Sequence, residues 1–128
     1  MLLTVILVLG SAPGVISRPN AQEVPIKRTE VLRSDMAGMP GKEAHMWVAD
    51  IAPGAAMGQH RHPTPRFVYV ISGAVTLEME GQPPRTFKAG EGFQEMPGEA
   101  HNFRNASATE PARALGLQIA GKGEPLQF

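Results

Sequence analysis

Residues 67–90, FVYVISGAVTLEMEGQPPRTFKAG, alternate apolar and polar side chains and are interrupted only by short turns rich in glycine and proline. Within this stretch Val75, Leu77 and Met79 share one face, and polar residues occupy the other. Successive side chains of a strand point to opposite faces, so the pattern predicts a half-buried strand. The flanking turns predict that neighbouring strands run antiparallel to it.

The same pattern continues on both sides of this stretch, and no segment of useful length has the helical period or an internal repeat. Eight or nine short strands are therefore expected. The predicted strands are Ile26–Leu32, Ala44–Ile51, Phe67–Ile71, Ala74–Glu80, Arg85–Lys88, Gly92–Met96, His101–Asn105 and Ala112–Ile119. Strands this short, in a chain this small, close most easily as an all-β jelly-roll barrel whose interior holds one small ligand.

Composition limits both the number of domains and the class of partner. The 128 residues suffice for one hydrophobic core. The twelve basic side chains are balanced by twelve acidic ones, so the net charge does not favour nucleic acid as a partner. A small-molecule ligand is expected instead. Cysteine is absent, so any metal must be held by imidazole, carboxylate or amide oxygen.

The first 21 residues are predicted to be a signal peptide, because the apolar run Leu2–Leu9 is too short to cross a bilayer and small, helix-breaking residues follow it. The barrel then occupies residues 22–128, carries no permanent membrane anchor and works in the periplasm or outside the cell. The alternative is that the apolar run is a buried N-terminal strand.

Three of the four histidines stand where they can converge. His60 and His62 are two residues apart and point to the same side of an extended segment, while His101 begins a predicted strand after the Pro97-Gly98 turn. Three neutral nitrogens leave positions open on a metal ion for substrate, as a catalytic site requires. A lone His-x-His pair also occurs on many surfaces that bind nothing.

Two groups of residues resemble the conserved motifs of the cupin superfamily over essentially the whole chain after the signal. The matching positions are Gly54, His60, His62 and Gly73 in the first motif, and Gly90, Gly98, His101 and Asn105 in the second. The resemblance implies a double-stranded β-helix and a homodimer. It also implies a divalent transition metal (iron, manganese, nickel, copper or zinc) on His60, His62 and His101.

The chain departs from the motifs at two positions. Arg66 stands in place of the usual glutamate ligand, and Met96 in place of a proline. A guanidinium cannot coordinate a cation, so Arg66 changes the chemistry of the site. If Arg66 faces the pocket it can anchor an anionic substrate. Alternatively it turns to the rim or pairs with Glu95.

Three further residues are candidates for the pocket. Either Gln94 or Glu95 should point inward, because they are sequence neighbours on one predicted strand. Glu95 would then be a metal ligand or a general base, and Gln94 an amide ligand or substrate contact. His45 lies on the same face of its strand as Trp47, so it is either a packed core residue or a substrate contact. Phe67 and Tyr69 have the opposite parity and are expected in sheet packing or a dimer contact.

Two functional hypotheses follow. The first is a metal-dependent enzyme, dioxygenase-like or isomerase-like, that acts on a small organic substrate, with Arg66 and Glu95 as its reactive side chains. The second is a non-catalytic module that binds a small molecule and holds metal weakly or not at all. The barrel alone does not choose between them, because one fold hosts many functions.

Overall fold

The computed structural model describes residues 26–128, which form eight strands in two antiparallel sheets. The signal-peptide prediction for residues 1–21 lies outside the described residues. The strands are β1 Ile26–Asp35, β2 Lys42–Ile51, β3 Arg66–Ser72, β4 Ala74–Met79, β5 Arg85–Lys88, β6 Gly92–Glu95, β7 His101–Asn105 and β8 Ala112–Gly121. The predicted all-β, double-stranded β-helix architecture is confirmed.

Strands that are distant in sequence become neighbours in the larger sheet, whose order is β1-β2-β8-β3-β6, while the smaller sheet has the order β5-β4-β7. One transverse row of residues results from this order. His45 on β2 pairs with Gln118 on β8, which pairs with Arg66 on β3, which pairs with Glu95 on β6. Side chains of cross-strand pairs lie on the same face of a sheet, so this row places four polar groups side by side.

Strand β3 has the alternation of buried and exposed side chains that the sequence predicts. Its inward residues Arg66, Val68 and Val70 are at most 8% exposed, whereas Phe67 and Tyr69 on the outer face are 47% and 48% exposed. The inward apolar residues of both sheets form one core, which includes Trp47, Ile51, Val70, Val75, Leu77, Phe87 and Phe103. Burying one face of each sheet against the other stabilises the barrel by removing apolar surface from water.

The structure differs from the sequence prediction in two segments. Strand β1 continues to Asp35 because its ladder with β2 extends to the pair Asp35↔Glu43, past a bulge near Glu30. The segment that carries His60 and His62 is not a regular strand. His60 instead forms an isolated bridge with His101 within the irregular connection between β2 and β3.

Gly73 joins β3 to β4 with a φ of +70°, which L side chains rarely adopt. A Cβ at this position would approach the Pro111 carbonyl oxygen to 2.6 Å. The glycine therefore permits the tight passage from the large sheet to the small one. No helix in residues 26–128 is long and apolar enough to span a membrane.

Candidate metal centre

Backbone hydrogen bonds hold the three predicted histidines together. The amide of His60 donates to the carbonyl of His101 at 2.9 Å, and the amide of His101 donates back at 3.0 Å. The amide of Gly98 donates to the carbonyl of His62 at 2.9 Å, which fixes the second histidine to the turn before β7. All three side chains are buried, and His62 is 0% exposed. The sequence-predicted cluster is thus assembled in one place.

Each imidazole is oriented by a backbone carbonyl at its Nδ1 atom. The acceptors are Gly58 for His60 at 2.8 Å, Leu126 for His62 at 3.2 Å and Glu99 for His101 at 2.8 Å. A carbonyl only accepts, so each Nδ1 carries the proton, and the Nε2 lone pair of each neutral ring is free. This arrangement is common in histidines that bind metals.

The free Nε2 atoms converge. One ligand nitrogen from each ring lies within 4.8 Å of the other two. The Nε2 atoms of His62 and His101 are 3.0 Å apart, and Nε2 of His60 is buried with no hydrogen-bond partner among the described residues. Two lone pairs at 3.0 Å repel unless a positive charge, a proton or a metal ion, lies between them. The donor set therefore fits a metal ion that prefers imidazole ligands.

Glu95 supplies a carboxylate beside these nitrogens. Its Oε2 lies 2.9 Å from Nε2 of His62, and its Oε1 lies 3.7 Å from Nε2 of His101. Burial alone would raise the pKa of Glu95, but the adjacent rings of His101 and His62 and the charge of Arg66 lower it to about 2. Glu95 is therefore ionised at neutral pH. The carboxylate that is missing at position 66 is present on the neighbouring strand.

Burial and the Glu95 carboxylate also shift the pKa values of two of the histidines. Burial lowers the pKa of His60, whereas the pKa of His101 is raised because the nearby Glu95 carboxylate and the hydrogen bond to the Glu99 carbonyl outweigh the effect of burial. In the metal-free protein His101 is thus the ring that more readily holds a proton, and His60 stays neutral.

Arg66 faces the interior and does not turn to the rim. It is 3% exposed, and its Nε and Nη2 atoms donate to Oε1 of Gln118 at 3.1 and 2.9 Å. Its Nε lies 3.8 Å from Oε2 of Glu95, and its Cζ lies 4.9 Å from the Trp47 ring centroid. Burial lowers the pKa of Arg66 below its usual value, to about 10, so Arg66 remains charged at neutral pH. It both enters the pocket and pairs with Glu95.

Two predicted pocket residues lie elsewhere. Gln94 is exposed on the outer face of β6, because Glu95 takes the inward position next to it; the expectation of a Gln94 contact in the pocket is wrong. His45 is buried, but its Nε2 contacts Oε2 of Glu43 at 3.5 Å, and Gln118 separates it from Arg66 in the transverse row. His45 therefore does not line the cavity beside the histidine cluster.

Sequence reasoning missed two groups that shape the site. The Leu126 carbonyl accepts hydrogen bonds from His62, Arg66 and Gln118, and Arg28 on β1 lines the cavity. A backbone carbonyl has no sequence signal. The choice of Glu95 over Gln94 as the inward residue did have a sequence signal, because Phe93, two residues before Glu95, is apolar and shares its face. The ring of Phe93 packs against Phe87 with 4.2 Å between centroids.

Comparisons with known proteins agree with this fold. The family model of the cupin domain matches residues 47–117, and no curated protein matches the sequence significantly. A cupin-like protein from Thermotoga maritima is similar in structure (TM-score 0.64, 21% identity), covering 80% of this chain and 74% of its own. A cupin domain from Bordetella pertussis gives a TM-score of 0.62 at 20% identity, over 80% of this chain and all of its own.

An enzyme is also among the similar structures. The DMSP lyase DddQ from Ruegeria pomeroyi has a TM-score of 0.63 and 22% identity, over 80% of this chain. This chain spans 50% of the length of that lyase. Likenesses at these identities establish the fold.

Proposed function

Because the chain belongs to the cupin family, we propose that it is a metal-dependent enzyme that acts on a small organic substrate inside the barrel. The ion is a divalent transition metal held by His60, His62 and His101. Glu95 provides a fourth, anionic ligand in place of the usual glutamate of the first motif. The reaction is dioxygenase-like or isomerase-like.

One observation carries this proposal. Three Nε2 lone pairs converge in a buried site while every Nδ1 is occupied by a backbone carbonyl. Three histidines aligned in this way would destabilise a purely structural core, because buried polar atoms without hydrogen-bond partners cost free energy. A metal ion bound there would satisfy all three.

The side chains around the site have distinct roles. An ion held by His60, His62 and His101 would supply Lewis-acid character at the site. Glu95 is ionised, and its Oε2 lies 2.9 Å from Nε2 of His62. When Oε2 does not coordinate the ion, it can accept a proton. Arg66, fixed by Gln118, holds positive charge next to that carboxylate. Trp47 and other apolar residues exclude water from the cavity.

The alternative function is a non-catalytic module that binds a small molecule. Arg66 favours it, because its Nε lies 3.8 Å from Oε2 of Glu95 and competes with a cation for that carboxylate. If the guanidinium holds the carboxylate fully, the three histidines alone must retain the ion.

The deciding experiment is elemental analysis of the untagged protein with two variants. We expect near-stoichiometric iron, manganese, nickel, copper or zinc in the wild type and its loss in His62→Ala. His45→Ala is the matched control, because it removes a buried histidine outside the cluster and should keep the metal. Metal-loaded protein is then assayed for oxygen consumption and isomerisation with diketones, phenols and hydroxy acids.

Either of two results would refute the metal site. One is absence of metal in the wild type after reconstitution. The other is equal metal content in wild type and His62→Ala, which would place the ion elsewhere. Absence of metal together with saturable binding of a small molecule would support the non-catalytic module.

The outer face of the large sheet supports a second, separate proposal, namely that the protein forms a homodimer. Phe67, Tyr69 and Ile71 are 42–48% exposed, and Leu115 and Leu117 pair with the two aromatic residues to extend the apolar surface onto β8. Surfaces of this kind commonly mark protein contacts.

Light scattering after size-exclusion chromatography tests the dimer. The wild type should have twice the chain mass, and a Tyr69→Lys variant should shift toward the monomer. Gln82→Lys, on the turn of the small sheet, is the control and should not change the mass. A monomeric wild type at high micromolar concentration would refute the dimer.

A further inference from the structure

We infer that the substrate is a short-chain organic acid whose carboxylate is bound by Arg28 on β1 together with Arg66. The inference rests on the proposed function for the position of the reacting end of the substrate. It does not require the metal for binding of the carboxylate.

A cavity inside the barrel brings the two arginines together. It is lined by Arg28, Trp47, Met57, Arg66 and Glu95, with apolar residues completing the wall. The guanidinium carbon of Arg28 lies 5.4 Å from the Trp47 ring centroid, and that of Arg66 lies 4.9 Å from the same centroid. One indole ring therefore positions both cations, through contacts that are favourable between a guanidinium and an aromatic face.

The charges in this cavity do not balance. Its ionisable lining residues are two arginines and one carboxylate, Glu95, so one positive charge is left over even before a metal ion is counted. A divalent ion on the histidines would raise the excess to three. Excess charge of one sign in a cavity with apolar walls attracts a ligand of the opposite sign. An anionic ligand restores the balance.

Arg28 is the arginine that is free to receive this anion. Its Nη1 donates to Oε1 of Gln127 at 3.0 Å and its Nη2 contacts the sulfur of Met57 at 3.0 Å, which are both uncharged acceptors. Within residues 26–128 it makes no ion pair. Arg33, on the same strand, pairs with Glu30 at 3.1 Å. The position of Arg28 is thus set by the cavity and not by a carboxylate partner.

The two arginines differ in depth, which orients the ligand. Arg66 is 3% exposed and fixed by Gln118, whereas Arg28 is an exposed residue of the edge strand. A carboxylate entering from the β1 side meets Arg28 first, and its two oxygens suit the planar fork of a guanidinium. The enclosed part of the cavity is small, about 20 Å³, so it receives the carboxylate, while the rest of a short acid lies in the open part of the cavity against Trp47 and Met57.

Trp47 makes the inference measurable, because it is the only tryptophan of the chain. Its fluorescence is titrated with acetate, succinate and benzoate, each compared with its neutral amide: acetamide, succinamide and benzamide. Titrations are run on the protein as purified and after removal of metal by a chelator followed by desalting. We expect saturable binding of at least one acid, and at least tenfold weaker binding of its amide.

Two variants test the assignment to Arg28. Arg28→Gln should weaken binding of the acid by about 10- to 100-fold, the usual loss for a hydrogen bond to a charged group. Arg33→Gln removes a positive charge from the same strand and should leave the affinity within about threefold. Both should retain the wild-type metal content and melting temperature, since Arg28 touches none of the proposed metal ligands.

The inference is overturned if no acid in the panel binds, if acid and amide bind equally, or if the two arginine variants behave alike. Its failure is distinct from failure of the proposed function. If the metal is lost in His62→Ala and the wild type binds no acid, only this inference is refuted. Acid binding through Arg28 in a protein that never holds metal would sink the metal-dependent function and leave this inference standing.

Discussion

Replacing Glu95 by glutamine should destabilise the metal-free protein by about 4 kcal/mol. The substitution preserves the shape of the side chain but removes a charge that is present at neutral pH, because the pKa of Glu95 is about 2. Arg66, 3% exposed, then lacks the carboxylate that compensates its charge. A buried charge left without its partner is among the largest single-residue penalties known in proteins.

The magnitude follows from the geometry. Arg66 Nε and Glu95 Oε2 are 3.8 Å apart, and two unit charges at that separation attract by about 4 kcal/mol at an effective dielectric constant of about 20. Measured losses on breaking buried pairs are about 3–5 kcal/mol, which agrees. Such a loss is a large fraction of the roughly 5–15 kcal/mol by which domains are stable.

Urea unfolding of the metal-stripped protein, followed by Trp47 fluorescence, measures the effect. Glu78→Gln is the matched control. It breaks a pair of shorter distance, Glu78 Oε1 to Arg104 Nε at 2.6 Å, but both side chains are about one-third exposed. Exposed pairs contribute about 0.2–1 kcal/mol, so the Glu95 variant should lose at least four times as much stability as the control.

A double variant completes the test. Arg66→Met combined with Glu95→Gln removes both charges of the buried pair, so it should recover most of the stability that Glu95→Gln alone loses. The reasoning would be refuted by equal losses in the Glu95 and Glu78 variants. It would also be refuted if the double variant were less stable than Glu95→Gln.

Three further outcomes are expected. Gly116→Ala places a Cβ 2.4 Å from the indole of Trp47 and should cost about 1–3 kcal/mol with a shifted fluorescence maximum; an unchanged melting temperature would contradict this. Deleting the last four residues removes the Leu126 carbonyl that orients His62 and should weaken metal binding by about 10- to 100-fold in a competition titration, whereas unchanged affinity would show that the carbonyl is dispensable. Intact mass after expression with an export system should give a mature chain that starts near Gln22 in the periplasmic fraction; an uncleaved chain would rule out the signal peptide.

Part of the site could be predicted from the sequence because some of its features depend only on residues close together in the chain. The alternation of Arg66, Val68 and Val70 with outward aromatic residues fixes which face of β3 is buried, since strand side chains have a period of two. His60 and His62 do converge as their spacing predicted, but they lie on an irregular segment, so the bridge of His60 to His101 and the hydrogen bond of His62 to Gly98 place them. The strand bounds from β3 to β8 agree with the predicted ones to within two residues at either end.

Other features depend on contacts between distant segments. Glu95 approaches His62 because β6 pairs with β3 at the edge of a five-stranded sheet, and no local pattern specifies that pairing. His45 was a pocket candidate by its face, yet Gln118 on β8 lies between it and Arg66. The alternation along a strand indicates which face of the sheet a residue lies on, but it does not indicate which residue of the next strand lies beside it.

The sequence by itself thus determined the all-β architecture, the inward face of each main strand and the three histidines, because strand periodicity and residue chemistry act within a few positions of the chain. Only the tertiary structure decided that Glu95 lies beside the histidines, that Arg66 pairs with it, that the Leu126 carbonyl orients His62 and that Arg28 enters the cavity. Each of these depends on which strands and tail segments become neighbours, and that choice is made by burial of the whole core at once.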